Sequence, residues 1–207
     1  MFKHISYSFC YTCKPNFKTM KKLNILFAAL LVSGATFAQT WTSDKAHSKL
    51  GFEVTHLMVT EVEGAFKTFD AKVTSSKDDF SDAVIELSAD PASISTDNDN
   101  RDNHLKSPDF FDVAKFTTLT FKSTSFKKVE DKKYKLVGDL TLHGVTKSVE
   151  LEVTLNGVGA NPMSKKTVAG FKVSGKFKRT DFGVGQAGGT VVGEEIHVRA
   201  NIELVKN

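Results

Sequence analysis

The chain predicts an all-β domain: about eight antiparallel strands, closed as a barrel or packed as a sandwich, with one long loop that carries a short helical turn. Three observations predict it. Apolar and polar residues alternate with period 2 from Trp41 almost to the C-terminus. Turn-forming residues punctuate that alternation repeatedly. One segment, Pro91–Pro108, abandons the alternation and offers helix-capping residues instead. Strict alternation puts one face of a strand against a core and the other in water, as in antiparallel sheets with a single wet side.

In chain order, Leu50, Phe52 and Val54 share the first clear apolar face, and a more mixed run follows from Val59 to Val73. Ala83, Ile85, Leu87 and Ala89 make the next face, and Leu119 with Phe121 another. Tyr134, Leu136, Gly138, Leu140 and Leu142 follow. Val149, Leu151, Val153 and Leu155 then alternate with Ser148, Glu150, Glu152 and Thr154. Ala169, Phe171, Val173, Gly175 and Phe177 oppose Lys172, Ser174, Lys176 and Lys178. The last strand sets Ile196, Val198, Ala200, Ile202 and Leu204 against His197, Arg199, Asn201 and Glu203. Turns are expected at Lys127–Lys133, His143-Gly144, Asn156-Gly157 and Gly159–Pro162. Within Pro91–Pro108, Asp97 to Asn100 are candidate N-caps for a helical turn over Arg101–Lys106. A loop of that length in a compact domain usually carries function or moves. Closure would remove exposed edges, and an eight-stranded barrel is either filled by side chains or hollow enough for one small ligand. Alternation does not choose between the two.

The N-terminus reads as an address. Met20-Lys21-Lys22 precedes an apolar run from Leu23 to Val32, and small residues follow as far as Ala38. A basic start, an apolar stretch of about ten residues and small residues before a cut define a secretory signal, here ending at Ala38 with Thr36 at position −3. The run is shorter than the roughly 20 residues of a membrane span. Residues 1–19 read as an extension upstream of a start at Met20, and 39–207 as one domain. Cys10 and Cys13 form an isolated CxxC in that extension, with no second pair. The mature chain then has no cysteine and no disulfide, so its core must stand by itself.

Charge narrows the partners. The formal net charge is +4, but residues 1–38 hold five lysines and no acid, leaving 23 bases against 24 acids in the remainder. A nucleic-acid surface is not expected of that balance. The five histidines of the mature chain (His47, His56, His104, His143, His197) show no HxH, HxxxH or HExxH spacing, so no metal centre is predicted. No nucleophile elbow is present, residues 39–207 offer no cysteine nucleophile, and no enzyme is predicted.

Four ordered blocks carry a resemblance. They are Trp41-x-x-Asp44-x-x-His47-Ser48 with Phe52, His56 and Gly64-x-Phe66-x-x-Phe69; Arg101-Asp102-x-His104-Leu105-x-Ser107-x-Asp109-Phe110-Phe111-Asp112; Gly138 to Lys147; and Arg179-x-Asp181-Phe182-Gly183. Together they resemble the YceI family from Trp41 to about Leu204. The family commonly has a proline after the second block, and Lys115-Phe116-Thr117 has none. The resemblance implies a lipocalin-like eight-stranded barrel exported to the periplasm or secreted. Its apolar tunnel would hold a polyisoprenoid or another long-chain amphiphile, such as a fatty lipid, with no further cofactor and no membrane span in the mature protein.

On that resemblance the tunnel falls to Phe52, Val54, His56, Phe66, Ile85, Leu87, Phe121, Leu140, Phe171, Val173 and Phe177. Its mouth falls to Arg101, His104, Leu105, Phe110 and Phe111, with residues 91–112 as a gate. The same residues also read without a ligand: the phenylalanines as a filled core, and Arg101 with Asp102 as a pin for loop backbone. Two rival functions follow, a solid-core barrel that docks a protein partner such as a membrane redox protein, and an enzyme acting on a lipid through His56 or His104. A homodimer is left open.

Overall fold

The computed structural model describes residues 38–185 and 188–207. The expected signal, apart from Ala38, and the upstream extension with Cys10 and Cys13 lie outside the described residues. Eleven strands form one antiparallel sheet: β1 (Gln39–Ser43), β2 (Lys49–His56), β3 (Thr60–Phe66), β4 (Phe69–Ser75), β5 (Val84–Ala89), β6 (Ile94–Ser95), β7 (Leu119–Glu130), β8 (Lys133–Leu142), β9 (Val145–Ala160), β10 (Thr167–Lys178) and β11 (Val192–Lys206). Among the described residues the one α-helix, α1 (Asp99–Lys106), stands between β6 and β7. No helix among the described residues is long and apolar enough to cross a membrane.

The sheet closes into an eight-stranded barrel, because β1 pairs with both β4 and β11. The difference between eleven segments and eight staves has a local cause. β1 and β2 are one stave broken at Asp44–Ser48, for β11 pairs with β2 through Val192–Asn201 and with β1 through Leu204–Lys206. β3 and β4 are likewise one stave, broken at Lys67-Thr68, and β6 adds a short pairing to β3.

Side chains replace the ladder at the first break. The Ser48 hydroxyl accepts from the Glu203 N–H at 3.0 Å and donates to the Glu203 carbonyl at 3.3 Å. The Asp44 N–H donates to that same carbonyl at 2.8 Å. Asp44 then folds the bend on itself, taking the Ala46 N–H at 2.8 Å and His47 Nδ1 at 3.1 Å. At the second break, a 3-10 turn over Pro91–Ser93 stitches the gap: Ser93 accepts from the Lys67 and Thr68 N–H groups, and the Thr68 carbonyl accepts from Asp90.

Two sequence expectations are corrected. Asn156-Gly157 is no turn; β9 runs on to Ala160, and a bulge at Asn156 absorbs the irregularity where Gly157 pairs Gly170 and Leu155 pairs Phe171. A bulge adds one residue and bends the strand without ending it. The turn itself lies at Asn161–Lys166, where the Asn161 N–H reaches the Lys166 carbonyl. The helical turn is longer than expected, an eight-residue helix whose N-cap Asn98 accepts from the Arg101 N–H at 3.0 Å.

Inside, two phenylalanine rings need glycine. A Cβ at Gly138 or Gly64 would collide with the rings of Phe121 and Phe52, which lie across the neighbouring strand. One end of the barrel is plugged by Phe80, 1 % exposed, against Trp41 and Phe171, each at 5.1 Å between ring centroids. The loop that delivers Phe80 is clamped by Asp82. Its carboxylate takes the Ser75 hydroxyl at 2.6 Å, the Ser76 hydroxyl, and the Ser76 N–H at 3.0 Å, and the two hydroxyls hold its pKa well below the usual carboxylate range.

The bend at the first break gives a pH prediction. The hydrogen bond to Asp44 raises the His47 pKa above its ordinary 6.5, and the same bond lowers Asp44 below 3.8. The histidine's contribution to stability is therefore present below pH 6.5 and lost as pH rises through the raised value. The carboxylate's is present above pH 3.8 and lost as pH falls through the lowered one. Histidine NMR titration is expected to place His47 above 6.5, and Asp44→Asn to return it towards 6.5.

Candidate functional site

The inward faces of the staves do not meet. They enclose a cavity of about 220 Å³, whereas roughly 10–15 Å³ suffices for one water. Its lining runs the length of the barrel, from Phe80 and Phe126 at the plugged end to Phe110, Val184 and Val192 at the other. Among the described residues, every lining residue is apolar except Gly51 and Arg179. Among the described residues, no buried side-chain nitrogen or oxygen lacks a hydrogen-bond partner. An apolar cavity of this kind stays dry and takes apolar guests. The filled interior that the phenylalanines equally allowed is not what the chain builds.

Of the predicted site residues, Phe52, Val54, Phe66, Ile85, Leu87, Phe121, Leu140, Phe171, Val173 and Phe177 line the cavity from the strands, and Leu105, Phe110 and Phe111 line it from the segment around α1. His56, Arg101 and His104 are not part of the lining. His56 sits half-buried at the end of β2, in register with Thr60. Arg101 is held by backbone work: its Nε donates to the Thr96 hydroxyl at 2.7 Å and its Nη2 to the Thr96 carbonyl at 2.8 Å. Buried Asp102 takes the Thr96 N–H at 2.8 Å and the Thr96 hydroxyl at 2.5 Å. Arg101 and Asp102 thus pin β6 to α1. His104 points outward, 3.3 Å from Asp109, with its ring edge-on to Phe110 at 5.0 Å.

The lid at this end is aromatic. Phe111 packs edge-on against Phe66 at 5.8 Å, and Phe66 lies 5.9 Å from Phe52. A second segment meets it, since a Cβ at Gly185, which has φ +75°, would strike both the Phe110 ring and the Arg179 guanidinium.

Arg179 is the functional residue that site selection from sequence missed. It directly follows β10, is 3 % exposed and lines the cavity. Its Nη1 donates to the carbonyls of Val184 and Gly185, and its Nη2 to that of Val192, all at 2.8 Å; its Nε donates to Gly193 at 2.9 Å. Burial lowers its pKa, and the Glu194 carboxylate opposes that shift. The planar fork suits several fixed acceptors at once, which an ammonium cannot match. Two signals in the sequence pointed to the missed parts. Arg179 opens the last resemblance block, and Phe80 is a lone apolar residue in the polar run Ser75–Asp82.

Three groups outside the cavity also gather: Asp44, His47 and Glu203 bring possible ligand atoms within 4.8 Å of one another. They lie at the break in the first stave and are already joined by the hydrogen bonds that shape it.

A closed eight-stranded antiparallel barrel around an apolar cavity defines a lipocalin-like barrel class, and the comparisons place it further. The YceI-like domain model matches residues 41–204, and the chain belongs to that family. A UPF0312 protein of Staphylococcus aureus is 39 % identical over 169 residues, spanning 79 % of this chain and 96 % of its own. BcnA of Burkholderia cenocepacia superposes with a TM-score of 0.71 at 25 % identity, covering 78 % of this chain and 98 % of BcnA. The YCEI protein of Campylobacter jejuni gives 0.65 at 29 % identity, over 79 % and 96 %. A polyisoprenoid binding domain from Saccharophagus degradans shares the fold, at 0.62 with 14 % identity over 81 % and 98 %.

Removing the arginine is expected to loosen one wall of the mouth. Arg179→Ala strands several buried carbonyls, each costing about 1–3 kcal/mol. Hydrogen exchange should therefore accelerate from Gly183 to Gly193 while the β7–β8 amides keep their protection. Arg179→Lys should behave nearly as badly as alanine.

Proposed function

We propose that this protein is a binding protein, not an enzyme, that holds the tail of a long-chain lipid, a polyisoprenoid foremost, inside the barrel. The cavity carries this reading: an apolar, elongated space whose one charged lining residue has its donors committed to backbone carbonyls. Among the described residues, no acid, base or nucleophile lines it. The Saccharophagus domain, which shares the fold, is described as polyisoprenoid-binding, and a prenyl tail suits the same interior chemistry. Burying a few hundred Å² of tail at roughly 25 cal/mol per Å² supplies up to about 10 kcal/mol before ordering costs. That suffices for tight binding with no charged contact.

The tail enters past Leu105, Phe110 and Phe111 and stops at Phe80. The segment around α1 acts as the gate, resting on the Thr96 pin. The chain is exported, with the signal cut after Ala38, to a periplasm or the cell exterior, which suits a carrier that shields a lipid from water between membranes.

Native mass spectrometry of protein exported by a bacterial host, followed by organic extraction, tests both parts. The expected mass is that of residues 39–207 plus one lipid that extracts as an isoprenoid. Bare protein that takes up no added prenyl lipid overturns the carrier reading, and an N-terminus upstream of Gln39 overturns the cleavage. Phe80→Ala opens the plugged end. It is expected to cost about 3–5 kcal/mol of stability and to shift the extracted lipids, or those taken from a mixture of prenyl alcohols, towards longer chains. An unchanged length distribution would show that Phe80 does not set the stop.

A further inference from the structure

The hairpin between β2 and β3 ends in three consecutive apolar residues, Leu57, Met58 and Val59, exposed to 53, 71 and 86 %. Val191 joins them: its carbonyl accepts the Leu57 N–H at 3.0 Å, and it is itself 47 % exposed. Single exposed apolar side chains are ordinary on any surface, whereas a contiguous group marks an interaction site.

The turn does not need these side chains. Leu57 and Met58 both have left-handed φ, 51° and 57°, in a turn closed by the Val59 N–H on the His56 carbonyl at 3.0 Å. This backbone favours Asn-Gly, and a side chain larger than those is strained there. Backbone strain and exposed apolar area both oppose the isolated fold, so the side chains serve something outside it.

The tip also lies beside the cavity mouth. Val192 follows Val191, pairs with His56 and lines the cavity, as does Val54 two residues earlier in β2. One stretch of ladder thus leads from the exposed tip to the cavity wall. The two chain segments that form and flank it carry no charged residue. No Lys, Arg, Asp or Glu occurs from Thr55 to Thr60 or from Gly183 to Gly193, in a chain that is 25 % charged. Acids resume just beyond, at Glu61, Glu194 and Glu195.

We propose that the Leu57–Val59 tip inserts into the surface of an electrically neutral lipid bilayer and holds the cavity mouth against it. Apolar side chains gain by entering the boundary between head groups and acyl chains, and uncharged flanking segments follow them without stripping water from ions. The acids beyond the rim oppose an anionic surface. A lipid tail then passes between bilayer and barrel without crossing water, a consequence that rests on the lipid-carrier reading.

The test compares wild type with the triple variant Leu57→Asn, Met58→Gly, Val59→Thr, both processed alike. The variant suits the turn, leaves the cavity lining intact and is expected to melt no lower than wild type. Flotation with phosphatidylcholine vesicles should fall at least about tenfold in the variant. Adding phosphatidylglycerol to the vesicles should weaken flotation of the wild type. Transfer of a fluorescent prenyl alcohol from vesicles should slow by a similar factor, while uptake of a farnesyl-length alcohol from aqueous solution stays the same. Equal flotation of the two proteins overturns the proposal. So does wild type that leaves vesicles untouched, and the tip then falls to a protein partner. Uptake from solution reads the carrier function separately. Wild type that loads from solution but ignores vesicles keeps the cavity's role and loses the tip's. Tip-dependent flotation with no loading from either source keeps the tip's role and overturns the carrier.

Discussion

Pairing of β11 with β2 along its first half and with β1 along its second closes the sheet on itself. Closure leaves the eight staves without the free edges that invite aggregation. It also fixes the interior by strand number more than by side-chain volume, and at eight strands that interior is wide enough for side chains or for one small guest. A sheet that packed as a sandwich would have drawn its two faces together and filled the gap. Here the wall is held apart by its own hydrogen bonds. Phe52 and Phe121 are accommodated by glycines on neighbouring strands and so lie along the wall, leaving the axis open.

A hollow apolar cylinder is sound only if water is kept from both ends, and the two ends do this differently. At one, Phe80 is driven into the bore by a loop that Asp82 and two serine hydroxyls tie together, with Trp41 and Phe171 against its ring. That closure is made of local hydrogen bonds and close aromatic contacts. At the other end, the cover comes from two separate segments, the one around α1 and the one after β10. Each is held by an arginine: Arg101 donates to the Thr96 hydroxyl and carbonyl, and Arg179 to the carbonyls of Val184, Gly185, Val192 and Gly193. Covers pinned at their roots can part between them more readily than a ring packed in the bore, which is why the proposed entrance is the arginine end.

The wall was legible in the sequence because alternation is a local property: Phe171, Val173 and Phe177 face inward for the same reason that Lys172, Ser174 and Lys176 do not. What was not legible depends on contacts between distant residues. The break at Asp44–Ser48 requires knowing that Glu203 lies opposite Ser48, more than a hundred residues away. Asn156-Gly157 looks like a turn locally and becomes a bulge because β10 continues beside it past Gly170. Arg101 and His104 were plausible head-group ligands by residue type. Their geometry assigns the first to Thr96 and turns the second towards Asp109. Whether the barrel was filled or hollow could not be read from the twelve phenylalanines of residues 39–207, since either outcome needs the same inward faces.

The committed polar groups also bear on how a guest would be recognised. With the arginine of the lining bound to carbonyls and no buried side-chain polar atom left unpartnered among the described residues, the interior has nothing to offer a head group. Selectivity inside the barrel must then come from length and width, which the Phe80 plug and the aromatic lid set. A head group of the proposed lipid would stay at the mouth, near residues 183–185 and 188–193, which carry no charged side chain. A tail site of this kind distinguishes chains by how far they reach and tolerates different ends. That is the property the proposed lipid-binding role requires.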